Sequence, residues 1–174
     1  LIIWFSSLKI PDLSVFEDRK VSQSTKIYDR TGEILLYDVH NDAKRTLVEY
    51  ENISQKIKNA TIAIEDAEFY NHKGIKPSSI IRAVLANLTP GSGATQGGST
   101  ITQQVIKNSI LTQDRTITRK LKEWVLAVKL EKVLSKDQIL NTYLNENPYG
   151  GSIYGVEEAS KTFFGKSAKD VTLA

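Results

Sequence analysis

The sequence contains no cysteine and no methionine. Without thiols a disulfide framework and thiolate metal sites are excluded, although no compartment is thereby named. Histidine is nearly absent as well. His40 and His72 are the only imidazoles, too few for a zinc site built on several histidines. Long hydrophobic runs are also missing: the apolar opening Leu1-Ile2-Ile3-Trp4-Phe5 falls far short of the roughly 20 residues that span a bilayer. It reads either as the end of a membrane anchor or as a buried strand. A chain that begins at Leu1 and has no Met reads as a fragment of a longer product. Its 174 residues suffice for one domain with its own core.

The net charge of +3 is too small by itself to argue for nucleic acid. Its distribution says more. Between Ser99 and Lys136 eight basic residues stand against three acidic ones, an excess of five positive charges. That stretch suits an anionic partner such as a phosphate or a lipid headgroup; a solvated helix face is the alternative.

Periodicity predicts a mainly α body with a small β element at its start. Residues 1–24 carry no regular pattern, whereas Thr25–Val39 alternates around Arg30-Thr31-Gly32, as a β-hairpin does. From Ile53 the apolar spacing turns helical, with Ile53, Ile57, Ala60 and Ile64 on one face. A helix is expected from Ser78 to Leu88, then a loop to Gly98 with four glycines and one proline in ten residues. Helices are expected at Ser99–Ile110, Thr116–Leu134, Lys136–Glu146 and Val156–Phe164, with Asn147–Gly155 as a loop.

Three segments carry candidate chemistry. Glu65-Asp66-Ala67-Glu68-Phe69-Tyr70 sets three carboxylates beside aromatics, where desolvation would raise a carboxylate pKa towards that of a general base. A solvated acidic helix end is the alternative. Gly97-Gly98-Ser99-Thr100 leads into a helix with a Ser/Thr cap, whose backbone N–H groups form an anion site. Ser99, Gln103 and Lys107 fall within about 80° of one another at 100° per residue, flanked by Ile106 and Ile110. An ordinary capped amphipathic helix is the alternative. No Gly-Lys-Ser/Thr follows these glycines, so a Walker-type phosphate loop is absent. Arg119 and Glu123 stand at i and i+4, either a surface ion pair or the charged end of an otherwise apolar, buried helix opening onto a cleft. A carboxylate there would hold a metal or orient cations around a leaving group. Ser6-Ser7-Leu8-Lys9 matches a Ser-x-x-Lys pattern, but no Ser-Asp-Asn or Lys-Thr-Gly follows it.

In order along the chain, these segments resemble the motifs of glycosyltransferase family 51. Glu65, Asp66, Phe69, His72 and Gly74 are similar to Glu-Asp-x-x-Phe-x-x-His-x-Gly. Gly97 to Asn108 is similar to Gly-Gly-Ser-Thr-Ile-x-Gln-Gln-x-x-Lys-Asn, and Arg119, Lys120 and Glu123 to Arg-Lys-x-x-Glu. Lys136 to Asn145 resembles Lys-x-x-Ile-Leu-x-x-Tyr-Leu-Asn, and Gly155 to Lys166 resembles the last segment. Lys76 stands where an acidic or small residue is common in that family. Ser24 to Gly32 resembles the hairpin preceding this domain in bifunctional class A penicillin-binding proteins.

The resemblance implies a lysozyme-like helical lobe, a smaller membrane-apposed lobe, and a cleft between them. Residues 1–24 would be a juxtamembrane segment or the end of a membrane anchor, and 25–174 a glycosyltransferase domain clipped at its C-terminus. It implies polymerisation of lipid II into β-1,4-linked glycan, with inversion at the donor anomeric carbon and release of undecaprenyl pyrophosphate. Glu65 would be the general base, supported by Asp66. Arg82, Ser99, Thr100, Gln103, Gln104, Lys107, Asn108, Arg119 and Lys120 would bind pyrophosphate and sugar. Glu123 would hold a divalent cation (Mg or Mn) or orient the cations. The implied partners are lipid II, the growing glycan strand, the plasma membrane and other cell-wall synthesis proteins, with no nucleic acid. The implied location is the outer face of a bacterial cell membrane. A lytic, lysozyme-like enzyme that cleaves glycan is the alternative; it needs a protonated acid but no basic phosphate cradle.

Overall fold

The computed structural model describes residues 21–39, 43–78, 98–111 and 116–173. Among them the chain is mainly helical. Strands β1 (Thr25–Tyr28), β2 (Leu35–Val39) and β3 (Lys44–Arg45) precede a 3₁₀ turn at Tyr50–Asn52 and helix α1 (Gln55–Glu65). Helices α2 (Ile101–Ser109), α3 (Ile117–Val133) and α4 (Lys136–Glu146) follow, then β4 (Pro148–Gly150), β5 (Ile153–Tyr154) and α5 (Val156–Phe164). The helix expected at Ser78–Leu88 and the glycine-rich loop up to Gly97 lie outside the described residues. No helix among the described residues is long and apolar enough to cross a membrane.

The described residues fall into two compact units, one within Ala60–Leu140 and the other built from Lys20–Asn59 and Asn141–Ala174. In the first, α2 packs on α3 over a core of Phe69, Ile101, Val105, Ile106, Leu126 and Leu130, all at most 2% exposed. Helix α2 starts where it does because Thr100 and Gln103 form a reciprocal capping box. Thr116 caps α3 in turn, its hydroxyl oxygen accepting from the Arg119 N–H at 3.1 Å. On α3 the buried residues Glu123, Leu126, Ala127 and Leu130 recur at the i, i+3, i+4, i+7 spacing of one helix face. The expectation that α3 is buried on most sides does not hold. Four of its other apolar residues, Leu121, Trp124, Val125 and Val128, line an open groove of about 330 Å³ with Ile75 and Lys129, and Ile117 and Val133 are exposed. Gly74 allows the close approach beneath α3. Its φ is +89°, and a Cβ there would lie 2.7 Å from the Ala127 carbonyl carbon and oxygen, so only glycine fits.

In the second unit β1 and β2 pair antiparallel, while β3, β5 and β4 form a sheet in which β3 runs parallel to β5. The β4–β5 hairpin occupies the stretch expected as the loop Asn147–Gly155. Buried acids tie these pieces together. Glu158, 1% exposed, accepts from Lys26 of β1 and from Thr46, with Lys44 of β3 at 3.7 Å. Burial acts to raise its pKa, but the bonds from Lys26 and Thr46 and the charge of Lys26 and Lys44 outweigh it, and the carboxyl sits below its ordinary value. Glu157 accepts from the Ala168 N–H at 2.8 Å and pairs with Lys161 at 2.8 Å. The Asn145 side chain bonds both the N–H and the carbonyl oxygen of Val48, each at 2.9 Å. The hairpin's alternation leaves its apolar side uncovered: Ile27, Leu35, Tyr37 and Val39 are 44–66% exposed, while Lys26 and Asp38 are turned to partners on the unit.

Candidate active site

Two consecutive acids at the end of α1 take opposite environments. Glu65 is exposed and Asp66 is 1% exposed. The Asp66 carboxylate accepts from His72 Nε2 at 2.8 Å and from the Ile101 N–H at 3.1 Å, and it pairs with Lys76 Nζ at 2.5 Å. The Gly74 N–H donates to His72 Nδ1 at 3.1 Å, so the ring's hydrogen is on Nε2, directed at Asp66. Burial alone would raise the Asp66 pKa; the bonds from His72, Lys76 and Ile101 outweigh it and hold the carboxyl below its ordinary value. The expected upward shift is therefore reversed for the buried acid of this segment. Among the described residues Glu65 accepts from the Gln104 amide at 2.8 Å.

The start of α2 is less open to an anion than its capping sequence suggests. The Thr100 N–H donates to Gln103 Oε1 at 2.7 Å, the Gln103 N–H to Thr100 Oγ1 at 3.2 Å, and the Ile101 N–H to Asp66. Thr100 Oγ1 donates onward to the Gly74 carbonyl at 2.6 Å. Thr100 and Gln103 are 1% and 3% exposed, so their polar atoms serve the cap. Ile106 is buried in the core and does not flank an exposed polar row. The open side of α2 is set by Gln104, Lys107 and Asn108, spaced i, i+3, i+4.

Positive charge at this end of α2 comes from side chains of α3. Lys120 Nζ donates to Ser99 Oγ at 2.7 Å and to Glu123, and Arg119 Nη1 donates to the other Glu123 oxygen at 2.8 Å. Glu123 is 1% exposed, so one buried carboxylate aims two cations. Both of its oxygens are thereby engaged. Among the described residues no three His, Cys, Asp or Glu side chains form a group that would hold a metal ion. This donor set fits a carboxylate that orients cations, and it does not fit a metal-binding site.

Gln104 on the first turn of α2 touches Glu65, and Ser99 just before that turn touches Lys120. A carboxylate at the surface and a pair of oriented cations thus flank the same helix start. The Transglycosylase family model matches residues 32–174. The chain belongs to the transglycosylase family. Its similar relatives include penicillin-binding protein 1A of Clostridium tetani, 45% identical over 166 residues, covering 94% of this chain and 21% of the relative. Penicillin-binding protein 1A of Aquifex aeolicus is 40% identical over 164 residues, 94% of this chain and 22% of its own length. Penicillin-binding protein 1F of Bacillus subtilis is 40% identical over 164 residues, 92% and 22%. The chain spans about a fifth of the length of these relatives. Family membership makes this transglycosylase a peptidoglycan glycosyltransferase domain.

Of the expected site residues, Glu65, Asp66, Ser99, Thr100, Gln103, Gln104, Arg119, Lys120 and Glu123 come together in the first unit, with Lys107 and Asn108 further along α2. Arg82 lies outside the described residues. Sequence reading did not assign Lys76 to Asp66, and it named Lys136 only as part of a motif. Lys136 pairs with Glu131 at 2.7 Å and stands 4.5 Å over the Phe69 ring. Thr102 also donates to Glu131, at 2.6 Å. The signal for Lys76 was its departure from the family pattern, two residues from Gly74.

Proposed function

We propose that this domain polymerises lipid II, adding it to a growing β-1,4-linked glycan strand with inversion and releasing undecaprenyl pyrophosphate. The observation that carries the reading is the Arg119–Glu123–Lys120–Ser99 arrangement beside the helix turn that holds Glu65. A diphosphate leaving group needs positive charge aimed in advance at its developing charge. A sugar hydroxyl needs a carboxylate within reach to take its proton.

Glu65 takes the proton from the C4 hydroxyl of the acceptor. The oxygen attacks C1 of the donor sugar, and the bond from C1 to the phosphate oxygen breaks, its electron pair leaving with the pyrophosphate. Arg119 and Lys120 meet that charge, with Lys107, Asn108 and Arg82 as further contacts. Asp66, Thr100 and Gln103 act through the cap of α2. Glu123 orients the two cations, and no step is routed through a divalent metal. The polyprenyl donor ties the reaction to the outer face of a bacterial membrane, with other cell-wall synthesis proteins as partners, and the lysozyme-like lobe and membrane-apposed lobe belong to the same reading. Full-length protein supplied with labelled lipid II should yield polymer and stoichiometric undecaprenyl pyrophosphate. Cleavage of preformed glycan without consumption of lipid II would instead support a lytic enzyme.

A further inference from the structure

Two consecutive aromatics follow the acids at the end of α1, and two consecutive residues at the start of α4 hold them. Lys136 Nζ stands 4.5 Å over the Phe69 ring, and the Tyr70 hydroxyl donates to Asp137 Oδ1 at 2.9 Å. The two rings meet edge to face, their centroids 5.2 Å apart. Phe69 is fully buried, and its N–H donates to the Asp66 carbonyl at 2.8 Å, so the ring belongs to the turn that leaves the acids. The start of α4 is fixed on its own account. Ser135 and Gln138 bond reciprocally, as a capping box does, and Lys136 Nζ donates to Glu131 Oε1 at 2.7 Å. That oxygen also accepts from Thr102 Oγ1 at 2.6 Å and lies 4.0 Å from His72 Nδ1.

A lysine at the end of a basic stretch reads at first as one more phosphate contact. Here the ammonium is already engaged by a carboxylate and a ring, and the side chain is only 20% exposed. A cation over an aromatic face is held more strongly where water is excluded. We infer that Lys136 is a positioning residue, which holds the turn Asp66–Tyr70 through the Phe69 ring, and not a ligand of the pyrophosphate. Asp137 holds the same turn through Tyr70. A shift of that turn moves Asp66 and, one residue earlier, Glu65. The inference rests on the reading of Glu65 as general base. Misplacing a reacting group by about 1 Å costs on the order of 100-fold in rate, which sets the scale of the expected effect.

The test compares Lys136→Met with the parent in full-length protein, and hydrogen exchange reads the hold independently of turnover. The peptide covering Ala67–Lys73 should exchange at least about tenfold faster, while the peptide covering Leu126–Leu130 is unchanged. Unaltered exchange in the first peptide would overturn the inference. So would equal acceleration in both, which marks general loosening. In lipid II polymerisation kcat should fall about 10- to 100-fold with KM within about twofold. A raised KM with kcat retained would make Lys136 a substrate ligand, and unchanged kcat and KM would remove it from the site; either result overturns the inference. Tyr70→Phe covers the case in which Lys136→Met does not fold. Tyr70 is 53% exposed, and loss of its bond to Asp137 should speed exchange of the Ala67–Lys73 peptide about fivefold. No change there would overturn the hold by α4. Glu65→Gln separates the two readings: polymerisation at the parental rate would overturn the base assignment and leave the exchange results standing.

Discussion

The chain carries two pairs of consecutive acids that a sequence reader would treat alike, Glu65-Asp66 at the end of α1 and Glu157-Glu158 at the start of α5. Both members of the second pair are buried, at 5% and 1% exposure, and both are consumed by the fold: Glu157 by Ala168 and Lys161, Glu158 by Lys26, Thr46 and Lys44. The first pair divides the work. Asp66 is spent on His72, Lys76 and Ile101, while Glu65 is left at the surface with the Gln104 amide. A buried, fully partnered carboxylate cannot take a proton from a substrate it cannot touch. The lesson is that the reactive acid is the one the fold orients without consuming.

The largest stability effect is expected where a buried acid is removed and its cations stay. Glu158→Ala should cost about 3–5 kcal/mol by denaturant unfolding, with the specific activity of the remaining folded protein retained. Glu123→Ala should cost a similar amount and also lower polymerisation, because Arg119 and Lys120 lose their common anchor. If Glu158→Ala lowered the activity per folded molecule, the division between structural and catalytic acids would fail.

Acid sensitivity sharpens the same contrast. The folded-state pKa of Asp66 lies below its ordinary value of 3.8 and that of Glu158 below 4.5. A depressed folded pKa contributes stability that is complete above the unfolded value and is lost as pH falls through the folded one. Stability should therefore hold above about pH 5 and decline below about pH 4, and Asp66→Asn should flatten that decline when unfolding is followed against pH. An identical acid limb in the variant would contradict the Asp66 assignment.

The smallest effect is expected at Gly32 in the hairpin turn. Its φ is +78° with nothing within 4 Å of an added Cβ, so Gly32→Ala should cost only the left-handed backbone penalty of about 1–2 kcal/mol. Gly74→Ala meets the Ala127 backbone at 2.7 Å as well, and its melting temperature should fall further. Equal shifts would mean that α3 yields at that contact.

Much of the helical framework was legible because its signals are local. Lys136–Glu146 and Val156–Phe164 form over the expected residues, and Thr100 and Thr116 cap α2 and α3, which begin two residues and one residue after the expected starts. The strand Lys44–Arg45 was not legible: two residues carry no alternation, and their partner Ile153–Tyr154 lies more than a hundred residues away. The candidate site divides in the same way. Motif order identified the residues that gather around α2, but not which of Glu65 and Asp66 is buried. It did not reveal that the N–H groups at the α2 cap are already bonded, nor that Lys76 reaches Asp66. Those facts depend on partners from Asp66 to Ile101 that meet only when the helices pack.

The most direct test of the central claim replaces Glu65 by Gln in full-length protein and measures lipid II polymerisation together with the melting temperature. Loss of a general base predicts a rate lowered about 10²- to 10⁴-fold with an unchanged melting temperature, since Glu65 is exposed. Polymerisation at the parental rate, or a loss matched by unfolding, would contradict the account.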